Sequence, residues 1–153
     1  LALCLHWSPD ARLYDLIRDV ARDPLVRRTR AAALALGAGA FAAVERGELD
    51  LGENLATEAL RHAAQPEESF LAMLALGISD LYRGRHDAAQ AWYRSVLAIE
   101  GLPPAYRADV HATLALLAGY AADLSTARDH AAHSRAGAEA TGAVNTRAFA
   151  AYA

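Results

Sequence analysis

The chain has 153 residues, of which 54% are apolar and 7% aromatic, and its formal net charge is −3. Alanine makes up about a quarter of the residues, which favours helices packed closely through small side chains and predicts an all-α fold. The basic residues are all arginines and are scattered, so no basic stripe exists to neutralise a run of phosphates, and we expect no direct nucleic-acid partner.

Cysteine content and hydropathy bear on the compartment. Cys4 is the single cysteine, which excludes an internal disulfide framework and a cysteine pair for zinc and favours a reducing compartment. The sequence has no apolar run of about 18 residues and no signal-peptide layout, so we predict a cytoplasmic protein with no membrane partner. It begins at Leu1 rather than methionine, and residues 144–153 lack a helix-ending residue, so we expect a piece of a longer protein.

The first helix signal follows an apolar tail at residues 1–7. Ser8 can cap a helix and Pro9 fits its first turn, so a helix is predicted to run to about Asp23. Apolar residues at helical spacing form its predicted buried stripe: Leu13, Leu16, Ile17 and Val20.

A second, longer helix is predicted from Pro24 to Gly47. Gly37 and Gly39 lie inside it. Because a glycine in an exposed helix costs about 1 kcal/mol relative to alanine, we expect a neighbouring helix to approach closely at these positions.

Turn signals divide the rest of the chain into helices of similar length. Gly84 supplies a left-handed residue between two helices, which must pack antiparallel because two or three residues join them. The predicted helices cover about residues 51–64, 66–83, 87–100, 105–121 and 126–140, and another starts at 144.

Three segments share a helix end, a turn and a small residue five positions after the turn: ERGELDLGENLATEAL, YRGRHDAAQAWYRSVL and YAADLSTARDHAAHSR. Gly47 and Gly84 are 37 residues apart and Ala89 and Ala127 are 38 apart, within the range of helical repeats. We predict that Gly52, Ala89 and Ala127 lie where paired helices cross most closely. The predicted units are a partial one at 1–23, repeats at about 24–65, 66–102 and 103–142, and the start of a further helix at 144–153.

This pattern resembles a tetratricopeptide-type array, whose repeat has a Leu-Gly pair, a turn glycine, an alanine five residues later and an aromatic residue four beyond. The middle unit fits best, with Leu76, Gly77, Gly84, Ala89 and Tyr93. The other units place Gly52, Ala115 and Ala122 where this pattern has alanine or glycine. The resemblance implies a single domain over residues 1–153, a right-handed α-solenoid of antiparallel helix pairs with about 7–8 helices.

Two longer segments are similar to a narrower group: LYDLIRDVARDPLVRRTRAAALALGAGAFAAVERGELD and LALLAGYAADLSTARDHAAHSRAGAEATG. They resemble the C-terminal repeats of large bacterial transcriptional regulators of the LuxR-like and antibiotic-regulatory (SARP) kinds, which carry a signal-transducing NTPase module. The resemblance implies that the repeats sense an inducer or partner protein and restrain the other domains. This sequence contains no phosphate-binding glycine loop and no basic recognition helix.

In such an array the first helix of each pair lines the inner surface. The repeat's groove positions fall on Leu34, Phe41, Val44, Glu45, Leu74, Ile78, Leu81, Tyr82, Ala112, Leu116 and Tyr120. One interpretation is an apolar groove that binds a peptide, a helix or a small-molecule inducer. The other is that many of these residues belong to the core.

Two sets of polar residues are further candidates. Asp80 falls on the inward, small-residue side of its helix; either it forms a structural salt bridge with Arg83 or an arginine of the next repeat, or it anchors a ligand in the groove. His130 and His133 are three residues apart, but a metal site needs more than two ligands, so we predict solvated histidines, no metal and no cofactor. No activating context surrounds a serine, histidine or acidic residue, so we predict no catalytic residue.

The function predicted from the sequence is therefore a non-enzymatic, ligand-sensing or protein-binding domain of a bacterial transcriptional regulator, in contact with other domains of that regulator. The alternative is a stand-alone tetratricopeptide scaffold or co-chaperone-like module. Clamps for chaperone tails use groove lysines, which this chain lacks. The apolar ends could also pair with a second copy to form a homodimer.

Overall fold

The computed structural model describes residues 11–142, and the predictions made for residues 1–10 and 143–153 lie outside that range. Within it the chain is all-helical, as predicted, with seven α-helices and no strand. They are α1 Ala11–Arg22, α2 Ala32–Glu45, α3 Leu49–His62, α4 Phe70–Tyr82, α5 His86–Leu97, α6 Pro104–Tyr120 and α7 Leu124–Thr141. None of these helices combines the length and the apolar composition needed to cross a membrane.

The long helix predicted from Pro24 begins later than expected. A 3-10 turn forms at Val26–Arg28, and α2 begins at Ala32. The Thr29 hydroxyl donates to the Val26 carbonyl at 2.7 Å and accepts from the Ala31 amide at 3.2 Å. These local hydrogen bonds compete with helical ones, and they place the start of α2 after Thr29.

The helix predicted from Pro66 is also interrupted at its start. Pro66–Glu68 is a 3-10 turn, and α4 begins at Phe70. The Glu68 carboxylate folds back and accepts a hydrogen bond from the Ala64 amide at 2.8 Å. A side chain thus satisfies a backbone donor before the α-helix begins.

The predicted buried stripe of α1 is only partly correct. Ile17 is buried, whereas Leu16 and Val20 are exposed. The difference arises because α1 presents Ile17 and Ala21 to α2 at Gly39, where a β-carbon would overlap the Ala21 methyl group. This contact selects the face of α1 that is buried.

The same turn recurs at three places. Gly47, Gly84 and Ala122 have φ angles of 78°, 72° and 59°, the left-handed conformation that ends a helix. In each turn the next amide bonds to a carbonyl five residues earlier. These bonds join Glu48 to Ala43 at 2.9 Å, Arg85 to Asp80 at 2.8 Å and Asp123 to Ala118 at 2.9 Å. The repeat length predicted from the sequence is therefore the distance along the chain between structurally equivalent turns.

Small residues allow the helices of the first part of the chain to approach closely, as predicted. Gly52 in α3 faces Val44 and Ala40 of α2 so closely that a β-carbon would overlap the Val44 side chain. Gly37 in α2 faces α4, where a β-carbon would lie 3.3 Å from the Ala72 amide nitrogen. As a result α2 and α3 form an antiparallel pair, and α4 packs against both of them.

The chain forms two compact units, one ending at Trp92 and the other beginning at Tyr93, so the division falls inside α5. In the second unit α6 and α7 are an antiparallel pair. Gly137 of α7 lies against Ala108 of α6, and a β-carbon added at Gly137 would lie 3.0 Å from the Ala108 methyl carbon. The predicted repeat boundaries remain a prediction.

Candidate functional site

Several predicted groove residues are core residues. Phe41 and Val44 are 1% and 0% exposed, and Leu74 and Ala112 are also buried. Phe41 and Val44 are buried because α2 is packed by α1, α3 and α4, which leaves it little free surface. For these four side chains the burial favours the second interpretation, that they belong to the core.

Other predicted groove residues remain accessible. Glu45 is exposed, Tyr82 is 63% exposed and Leu34 is 45% exposed, while Ile78 and Leu81 are half-buried. In the second unit Tyr120 is 66% exposed and Leu116 is half-buried. In the first unit the two most exposed polar or aromatic members of this set, Glu45 and Tyr82, are the last helical residues of α2 and α4.

Glu45 links Tyr82 to a tyrosine that the sequence analysis missed, Tyr14 of α1. Burial first, and then the charge of Glu45, raises the pKa of both Tyr14 and Tyr82. The antiparallel packing of α1 on α2 places the start of α1 beside the end of α2, where Asp15 pairs with Arg46 at 3.0 Å. We term Tyr14, Glu45 and Tyr82 the aromatic–carboxylate cluster.

The sequence carries no signal for Tyr14, because the groove positions of the repeat belong to the first helix of each pair, whereas α1 precedes the pair α2–α3. The cluster combines two aromatic side chains with a carboxylate, which suits a partner that is both apolar and cationic.

Asp80 forms a structural salt bridge. It is buried, and its carboxylate accepts a hydrogen bond from Nε of Arg85. The predicted partner, Arg83, instead pairs with Asp50 and Glu53 of α3. Arg85 follows directly after the Gly84 turn, which directs its side chain back onto α4.

The Asp80 pair belongs to a network that connects α3 with α4. The Glu53 carboxylate accepts from the Ser79 hydroxyl at 2.7 Å and from Arg85 at 2.6 Å. Burial alone would raise the pKa of Glu53, but these hydrogen bonds and the charges of Arg83 and Arg85 lower it. The hydrogen bond to Asp80, followed by that to Glu53, raises the pKa of Arg85. The network therefore has a structural role.

We expect Arg85→Met to lower the free energy of unfolding, because it leaves the buried Asp80 carboxylate without its ion-pair partner. The loss should be smaller than for fully buried pairs, since the Arg85 side chain is 49% exposed. Urea denaturation followed by circular dichroism measures it. The matched control is Arg61→Met, at an exposed arginine whose Nε donates to the Thr57 carbonyl of its own helix at 3.4 Å. Equal stability of the two variants would contradict the structural role.

The histidines predicted to be solvated form a cluster with one more member, His111 of α6. Nδ1 of His111 lies 2.9 Å from Nδ1 of His130, and the His111 ring stacks on that of His133 at a centroid distance of 5.0 Å. Burial, then His130, His133 and Arg107, lowers the pKa of His111 to about 4. Among residues 11–142, no group of three or more histidine, cysteine, aspartate or glutamate side chains is arranged so that it could hold a metal ion.

Comparison with known protein families, curated proteins and solved structures found no relative of this chain. No protein-family model matches the chain, and no curated protein and no solved structure is significantly similar to it.

Proposed function

We propose that this chain is a non-enzymatic, tetratricopeptide-like repeat domain that senses a peptide, protein or small-molecule inducer within a bacterial transcriptional regulator. The recurring left-handed turn and the packing of α4 on both helices of the preceding pair support a right-handed superhelix of helix pairs. The resemblance of two long segments to the C-terminal repeats of bacterial regulators supports a place within such a regulator.

The observation that carries the binding proposal is the aromatic–carboxylate cluster. Tyr82 is 63% exposed, and the charge of Glu45, which is also an exposed residue, acts on it. A guanidinium group stacks on tyrosine faces and forms charge-assisted hydrogen bonds to a carboxylate. The preferred partner is therefore a segment that carries an arginine next to an apolar residue.

Binding at this surface would act by linkage. A partner that prefers one conformation of the repeats shifts the equilibrium of a switch elsewhere in the parent protein by its difference in affinity for the two states. The coupling typically amounts to about 1–3 kcal/mol, which is sufficient for a regulatory response.

Selection of a displayed random peptide library against the chain tests the proposal. We expect enriched peptides that share an arginine beside an apolar residue, and we expect Glu45→Gln to weaken their affinity by about tenfold, the loss of one charge-assisted contact. Tyr82→Ala should weaken binding similarly, while Tyr82→Phe retains the aromatic face and should bind nearly as well. Affinities are measured by fluorescence anisotropy.

The matched carboxylate control is Glu67→Gln, at an exposed residue outside the cluster. A selection without a consensus would refute the proposed site, as would binding that Glu45→Gln and Glu67→Gln affect equally. In the parent regulator, Tyr82→Ala should abolish the response of a reporter gene to its inducer at unchanged protein level. An unchanged response would refute the sensing role.

A further inference from the structure

The histidine cluster joins α6 to α7 through three imidazole side chains. His111 comes from α6, and His130 and His133 come from α7. His111 is half-buried and touches both of the others, with ring centroids 5.1 Å from His130 and 5.0 Å from His133. The contact between the two helices at this level therefore consists of imidazole rings.

The hydrogen bond within the cluster depends on protonation. Two Nδ1 atoms 2.9 Å apart form a hydrogen bond only when one carries a proton and the other does not. His133 is held separately, because its Nδ1 donates to the Asp129 carbonyl at 2.7 Å. Protonation of both His111 and His130 removes the acceptor and places two cations in contact.

The charged groups around the cluster increase this effect. The charge of Arg107 in α6 lowers the pKa of His111. Arg107 is fixed in place by hydrogen bonds that it donates to the Leu97 and Ile99 carbonyls at 2.9 and 2.8 Å. The charge of Arg94 in α5 lowers the pKa of His130, whereas the carboxylate of Asp129 in α7 raises it. Two guanidinium groups, of which Arg107 is fixed by hydrogen bonds, thus act on the cluster, against one exposed carboxylate.

We propose that His111, His130 and His133 form an acid-sensitive clasp that holds α6 and α7 together at neutral pH and releases α7 when the histidines become protonated. The unfolded chain binds more protons than the folded clasp at pH values below about 6.5, so opening becomes more favourable as the pH falls toward about 4. The device is distinct from the aromatic–carboxylate cluster, which lies in the first unit.

Hydrogen exchange of the full chain at pH 7.5 and pH 5.0, corrected for intrinsic exchange rates, tests the clasp. We expect protection of α6 and α7 peptides to fall by about tenfold or more at pH 5.0 relative to α2 and α3 peptides, since the unfolded state gains protons there.

A double variant, His111→Asn with His130→Asn, separates titration from packing. Asparagine places a donor and an acceptor at the position of Nδ1 and does not titrate, so the drop in protection at pH 5.0 should disappear. His62→Gln, at an exposed histidine of α3, should retain the drop. A drop that persists in the asparagine variant would overturn the proposal.

Nuclear magnetic resonance of the imidazole nitrogens gives a test that requires no substitution. We expect His111 to titrate far below pH 6.5 and the α6 and α7 resonances to change with the same midpoint as His111. Titration of His111 near pH 6.5, or helix resonances that do not follow it, would also overturn the proposal.

Discussion

Phe41→Ala is expected to lower the free energy of unfolding by about 3–5 kcal/mol, the usual cost of removing a buried phenylalanine side chain. Phe41 is 1% exposed, and α2 is surrounded by α1, α3 and α4, which cannot close the cavity without moving together. Equilibrium urea denaturation followed by circular dichroism measures the loss. Temperature should be kept low enough that the variant stays folded without denaturant.

Tyr82→Ala is the matched comparison for Phe41→Ala. Both positions were predicted to line the same groove, but Tyr82 is 63% exposed, so its truncation should cost at most about 1 kcal/mol. The pair thus distinguishes a core residue from a surface residue. A loss below about 1 kcal/mol for Phe41→Ala would contradict its place in the core.

Gly39→Ala is expected to destabilise the protein by about 2 kcal/mol although alanine is the better helix former. Overpacking typically costs about 1–3 kcal/mol, and the gain in helix propensity offsets up to about 1 kcal/mol. The added β-carbon would overlap the Ala21 methyl group, which has no rotamer that could move it away. The helices α1 and α2 must therefore separate, and thermal and urea denaturation both report the loss.

Two further variants make the Gly39 prediction specific. Ala21→Gly removes the overlapping methyl group, and in combination with Gly39→Ala it should recover most of the loss, since the next neighbour, Leu55 Cδ1, is 3.5 Å away. Gly119→Ala, in a helix where nothing lies within 4 Å of the added carbon, should instead stabilise by up to about 1 kcal/mol. Destabilisation by Gly119→Ala, or no coupling between positions 21 and 39, would be inconsistent with close approach as the cause.

The turns and the close helix contacts could be predicted from the sequence because single residue types report on them. Gly47 and Gly84 mark left-handed residues, and Gly37 and Gly39 mark positions where a neighbour leaves no space for a side chain. Helix starts were less predictable. Thr29 and Glu68 form local hydrogen bonds whose geometry cannot be read from residue type, so α2 and α4 begin later than expected.

The candidate sites were only partly predictable, since periodicity identifies a helix face but not how many neighbours cover it. Phe41 and Tyr82 occupy similar template positions, but α2 is covered on several sides, whereas Tyr82 lies at a helix end. His111 was missed because its partners are 19 and 22 residues away and meet it only in the folded pair α6–α7. The partner of Asp80 could not be chosen from the sequence, since the Gly84 turn brings Arg85, and not Arg83, to the carboxylate.

The equivalent turns at Gly47, Gly84 and Ala122 also bear on how such a chain changes in evolution. A recombination event between codons for two of these residues would add or delete a segment of 37 or 38 residues and leave a complete turn at the junction. Under the proposed repeat architecture, in which each unit is stabilised mainly by its sequence neighbours, gain or loss of a segment would alter the number of units without requiring a new turn or a new core. The turn geometry therefore provides natural crossover points for changing the number of helix pairs.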